Sequence, residues 1–102
     1  MRQIVEIDNE QACQAAERLI LMFHLLEVYR RHCPDERKAE AMRRLCARQA
    51  TRLRQLLADH LEQHGLAPRE GTVEVWCRGL EVVLSPRENG RLGLVRLSLT
   101  PA

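Results

Sequence analysis

His60 and His64 stand four residues apart, the spacing that sets two imidazoles on one helix face, and His32 is followed directly by Cys33. Nitrogen and sulfur donors so spaced are the raw material of a zinc site, which needs three or four ligands converging on one point. Pro34 marks the bend of an antiparallel helical hairpin, so residue 60 falls opposite roughly residue 8 and the two donor pairs lie at opposite ends of the hairpin. They cannot share an ion within one chain. His24 faces Cys46 across the helix interface, but two ligands do not complete a structural site. No metal ion and no cofactor is therefore expected, and only a second chain could complete a zinc site.

Catalysis finds as little to work with. Thr51, Thr72, Ser85, Ser98 and Thr100 are the only hydroxyls of their type, and none stands in the glycine-rich elbow that activates a nucleophile. Glu36 and Glu40 share one charged helical turn with nothing to bury them, whereas a catalytic carboxylate pair needs burial. The expectation is a protein that is not an enzyme.

The loudest charge feature is RRLCARQATRLR at residues 43–54, with five arginines and no acid. Residues 30–54 carry a net charge of +6, while residues 1–29 carry −3 and 55–102 carry −1, within a chain whose net charge is +2. On a helical wheel Arg37, Arg44, Arg48 and Arg52 form one ridge about 22 Å long, while Arg43 and Arg54 lie on a separate flank. Glu40 stands one turn before Arg44, yet Arg48 and Arg52 have no acid in the equivalent position. Such a ridge suits phosphate or an acidic partner; equally, it suits a solvated face whose arginine stems cover apolar surface. The overall balance is weak for a dedicated nucleic-acid domain, and no recognition motif accompanies the ridge.

The elements that must carry these residues are legible from hydrophobic period. The 102 residues, 45% apolar, suffice for one domain with one modest core. Asp8 or Asn9 caps a first helix of about residues 9–33. Ala12, Ala16, Leu19, Phe23 and Leu26 make its main stripe, and Leu21, Leu25 and Val28 make a second. A helix greasy on two sides needs two partners. Asp35 and Glu36 open a second helix, about 35–64, stopped at Gly65. Its apolar arc runs through Ala39, Met42, Leu45, Cys46, Ala50, Leu53, Leu56, Leu57 and Leu61.

Beyond LAPREG the period changes to two, which predicts strands over about 72–78, 80–85 and 91–99. Two-residue turns at Arg78-Gly79 and Asn89-Gly90 would pair Val73 with Leu84, Val75 with Val82, Cys77 with Leu80, Leu84 with Val95, Val82 with Leu97 and Leu80 with Leu99. All nine then face one core. Residues 3–7 add a fourth, edge strand with Val5 and Ile7 inward. The predicted fold class is α+β: an antiparallel two-helix hairpin packed on one face of a three- or four-stranded antiparallel β-meander.

Apolar surplus is what remains. Trp76, Val83 and Leu94 fall on the far face of the sheet beside Arg96, rimmed by Glu74, Arg78 and Glu81, and Leu21, Leu25 and Val28 lack cover on the first helix. This composition resembles an interface. The chain is expected to be a small protein–protein interaction module of bacterial or phage accessory character. It would form a homodimer and bind a larger protein, as an inhibitor or a scaffold. Nucleic-acid or phosphate binding through Arg37, Arg44, Arg48 and Arg52 is the alternative. No greasy run approaches the roughly 20 residues of a bilayer span, and the amino-terminal residues lack a signal-peptide core. Four cysteines occur singly, as reduced thiols would. A cytoplasmic location without membrane contact is the corresponding expectation.

Overall fold

The computed structural model describes residues 2–32 and 35–99. Its elements are β1 (Arg2–Glu6), α1 (Glu10–His32), α2 (Glu36–Gln63), β2 (Thr72–Cys77), β3 (Leu80–Pro86) and β4 (Leu92–Leu99). The four strands form one sheet in the order β1-β2-β3-β4, and the helical hairpin covers one face of it. Cys33 and Pro34, where the bend was predicted, lie outside the described residues.

Local chemistry places the helix ends. Asn9 caps α1, its Oδ1 accepting from the Ala12 amide at 3.0 Å. Asp35 caps α2 and accepts from the amides of Arg37 and Lys38 at 3.0 and 3.3 Å. At the other end Gly65 takes a left-handed φ of +66°. The Leu66 amide donates to the Leu61 carbonyl and the Gly65 amide to that of Glu62. This is a Schellman closure, with Leu66 folded back onto the core.

The sheet is mixed rather than wholly antiparallel, because β1 pairs with β2 in parallel, Val5 opposite Val75. An edge strand followed by two antiparallel helices ends near its own C-terminal side. The link 64–71 then spans up to about 26 Å when extended, enough to return the chain to the start of β1. Val5 and Ile7 point inward as expected. The β2–β3 hairpin follows its predicted register, closed by Arg78 and Gly79 at φ 47° and 84°, a conformation that twists with the strands.

The β3–β4 hairpin departs from its predicted register. The Gly90 amide donates to the Arg87 carbonyl and the Arg87 amide to that of Arg91, with Gly90 at φ +78°. The loop therefore has three residues, a turn followed by a left-handed glycine. One extra residue sets Leu84 against Leu94 instead of Val95. A bulge then leaves Val95 unpaired and restores the predicted pairs Val82–Leu97 and Leu80–Leu99. Leu92 and Leu94 consequently turn to the core, whereas Val95 is 61% exposed. The assignment of Leu94 to the outer face is thereby corrected.

Between helices and sheet lies a continuous core of Ala12, Ala16, Leu19, Leu53, Leu57, Val73, Val75, Val82 and Leu84, all fully buried. Cys13 and Cys77 are fully buried there too. At 28 residues α2 is about 42 Å long, whereas the eight-residue β4 extends about 27 Å. Arg54 already reaches the Leu92 carbonyl at the sheet end nearest the bend, so the bend half of the hairpin projects beyond the strands.

Candidate functional site

The projecting half carries the apolar surplus. Leu21 and Leu25 are 61% and 56% exposed, and Val28, at the next helical repeat, is open as well. The three form one i, i+4, i+7 line on the side of α1 away from both α2 and the sheet. Phe23, expected in the buried stripe, is exposed. It shares its wheel position with Ala12 and Ala16, which the sheet covers, but at residue 23 the helix has run past the strands. Leu45 on α2 is open for a related reason: it lies at the edge of the apolar arc remote from the sheet. Leu26 and Cys46, which face between the helices, remain buried.

The far face of the sheet differs from its expected form. Val83 lies between Glu74 on β2 and Arg96 on β4, and Trp76 lies opposite Glu81. Trp76 is about one-third exposed. Glu74 and Glu81 are buried rather than a wet rim, and Arg96 donates to Glu81 at 2.8 Å. Ile4 of β1 extends this surface beside Glu74. Val83, expected to be open, is buried between its neighbours, so the apolar surface this face exposes is Trp76 and Ile4, beside the Arg96–Glu81 pair.

The arginine ridge of α2 is present and exposed at Arg37, Arg44, Arg48 and Arg52. Arg44 meets Glu40 at 3.6 Å, while Glu40 also accepts from Arg43 at 3.1 Å. Among the described residues no carboxylate lies within ion-pair distance of Arg48 or Arg52. At the bend end of the ridge Arg37 and Arg44 line a shallow groove with Glu36 and Glu40, so the cations there share it with carboxylates.

A second basic locus escaped the sequence reading. Ala47, Ala50, Thr51 and Arg54 of α2 face the β3–β4 turn, with Arg87, Asn89 and Arg91, across a cleft of about 450 Å³. Arg54 belongs to the flank that wheel geometry had already separated from the ridge, but nothing in sequence spacing announces that Arg87 and Arg91 come to meet it.

His60 and His64 stack at 4.3 Å between ring centroids, and the His60 carbonyl lies 2.9 Å from His64 Nδ1. Burial, aided by the neighbouring His64, holds the His60 pKa below its ordinary value. Among the described residues no group of three or more His, Cys, Asp or Glu is placed to hold a metal ion. Burial, reinforced by Cys13, pushes the Cys77 thiol up to about 12. At the opposite end of the sheet from the cleft, Arg78 donates to Asp8 at 3.2 Å and to Glu10. That contact, ahead of Gln14, lowers the Glu10 pKa.

The fold and these surfaces define a two-layer α+β module with a projecting helical hairpin, and no helix of the described residues is long and apolar enough to cross a membrane. Comparison with known protein families, curated proteins and solved structures found no match.

Proposed function

We propose that the chain is a protein–protein interaction module that self-associates through the projecting half of its hairpin and presents the Trp76 face to a larger protein. The observation that carries this reading is the line Leu21, Leu25 and Val28, uncovered along the outer side of α1, with Leu45 exposed on α2. Leu21, Leu25 and Val28 are aligned on one helix face rather than scattered singly, which is the arrangement of a binding patch.

A second copy suits this face because its apolar line can cover itself. Antiparallel pairing of two α1 helices places Leu21 beside Val28 of the second copy and Leu25 near the two-fold axis. The same pairing opposes the helix dipoles and keeps Arg31, which pairs with Glu27 of its own chain at 3.2 Å, at the rim of the contact. Two projecting hairpins joined in this way make a four-helix arrangement, the usual solution for helices with a second apolar stripe.

Sedimentation equilibrium tests the reading. Wild type is expected to be dimeric at tens of micromolar, and Leu21→Glu combined with Leu25→Glu monomeric with an unchanged far-ultraviolet spectrum. A monomer at every concentration, or a dimer indifferent to the double substitution, would remove self-association through α1. Binding of a larger protein through the sheet is tested separately by comparing wild type with Trp76→Glu in affinity capture. Equal capture by both would exclude that face.

Phosphate binding by the ridge is the weaker alternative. Arg48 and Arg52 supply charge without a carboxylate in ion-pair range, but the groove that the ridge does line, at Arg37 and Arg44, also holds Glu36 and Glu40, which disfavour an anion.

A further inference from the structure

We propose that the cleft between α2 and the β3–β4 turn is a phosphate-binding site, with Arg54, Arg87 and Arg91 as its donors and the small residues Ala47 and Ala50 as its floor. Four observations support this.

The cleft is lined by three arginines and Asn89 and by no carboxylate. Glu88, the acid of the turn, does not line the cleft but an adjoining groove that shares Arg87 and Asn89 with it. Three guanidinium groups around one recess would repel one another, a situation relieved by an oxyanion that accepts from several of them at once.

Two of the donors are positioned by the fold. Arg54 Nη1 makes a long contact of 3.5 Å with the Leu92 carbonyl, which directs the side chain toward the sheet end while leaving its other N–H groups to donate elsewhere. Arg87 lies across Gly93: a Cβ built there would stand 1.8 Å from Arg87 Nε. Gly93 has an ordinary backbone conformation and no turn to make, so the space above it is what the glycine provides. Any larger residue would push the Arg87 side chain aside.

The turn itself is braced. Asn89 Oδ1 accepts from the Arg91 amide at 3.0 Å, and Gly90 closes the loop at positive φ. Arg87 and Arg91 therefore flank a defined loop and do not ride on a loose one.

The size is also appropriate. A cleft of about 450 Å³ falls within the range of small-ligand sites and holds a diphosphate or one nucleotide unit. The shared chemistry is a phosphate group, whether of a free phosphorylated molecule or of a nucleic-acid backbone.

Calorimetric titration of the full chain in low salt distinguishes the sources, with inorganic pyrophosphate and a short oligothymidylate as probes. Saturable pyrophosphate binding supports a small phosphorylated ligand. Binding of the oligonucleotide alone, weakening steeply with salt, supports a backbone phosphate. In either case Arg87→Gln and Arg54→Gln should each weaken the complex about tenfold or more, as loss of a charge-assisted hydrogen bond does. Gly93→Ala should weaken it comparably with net charge unchanged, because it moves Arg87 without removing it. Arg48→Gln with Arg52→Gln, on the ridge, should leave affinity within about twofold once salt is matched. Absence of binding to both probes, or a loss equal in ridge and cleft variants, would overturn the proposal. So would full affinity in Gly93→Ala.

Discussion

Leu84 of β3 lies opposite Leu94 of β4, one residue out of step with the pairing that joins Val82 to Leu97. A three-residue loop introduces the offset and the Val95 bulge removes it, so two leucines reach the core at the hairpin's closed end. Leu94→Ala should destabilise by about 1–3 kcal/mol, in the range for truncating a partly buried leucine. Val95→Ala should stay within about 0.5 kcal/mol, as exposed substitutions do. Urea unfolding of the two variants measures both, and a larger loss in Val95→Ala than in Leu94→Ala would mean that the strand is in the unbulged register.

Arg78 bridges the β2–β3 turn to Asp8 and Glu10 at the start of α1. Its hydrogen bond holds the folded-state pKa of Glu10 below 4.5, the ordinary value. A depressed carboxyl contributes stability that is present above its unfolded pKa and lost as pH falls through its folded one. Wild type should therefore lose stability on acidification below about pH 4.5 more steeply than Arg78→Gln. Thermal unfolding at a series of pH values provides the comparison, and parallel curves would count against the bridge.

His60 gives a second, higher window. Its pKa is lowered from 6.5, first by burial and then by His64. The unfolded chain then takes up the proton more readily than the folded one, so stability is retained above about 6.5 and falls as pH drops through the folded pKa. His60→Gln should flatten the profile between about pH 7 and 5, and titration of the His60 Cε1 proton by NMR should give a midpoint below the ordinary one.

The Cys77 thiol, buried against Cys13 and pushed up to about 12, has almost no thiolate at neutral pH. Cys46, raised by burial as well, should follow it. In a Cys33→Ser background, iodoacetamide labelling at pH 8 should proceed only as fast as the protein opens, and urea should accelerate it. Rapid labelling of Cys77 in native buffer would show that the α1–β2 packing is looser than described.

Reading the chain alone was sufficient for both helices, the Gly65 stop, the β2–β3 register and the inward face of β1, and it narrowed the first cap to Asp8 or Asn9, because each depends on periodicity and turn chemistry within a few residues. Asp35, Gly65 and Arg78-Gly79 act locally, so their neighbours in sequence are their partners in space. The excess apolar line at Leu21, Leu25 and Val28 was visible for the same reason. The adjacent pair Leu94-Val95, where alternation slips phase between Leu92-Leu94 and Val95-Leu97-Leu99, carries the trace of the bulge; only the paired strand shows that the slip turns Leu94 inward.

Three features were decided by the tertiary structure. Phe23 is exposed because a helix of 23 residues outruns the strands beneath it, a mismatch of lengths between layers that wheel position does not contain. β1 joins in parallel because the helical hairpin and the 64–71 link return the chain to its starting end. The arginine cleft is the third: α2 must lie along β4 for Arg54 to meet Arg87 and Arg91, residues more than thirty positions away in sequence. Charge density along the chain pointed to the ridge, but only packing between layers makes a recess, and it does so on the other flank of the same helix.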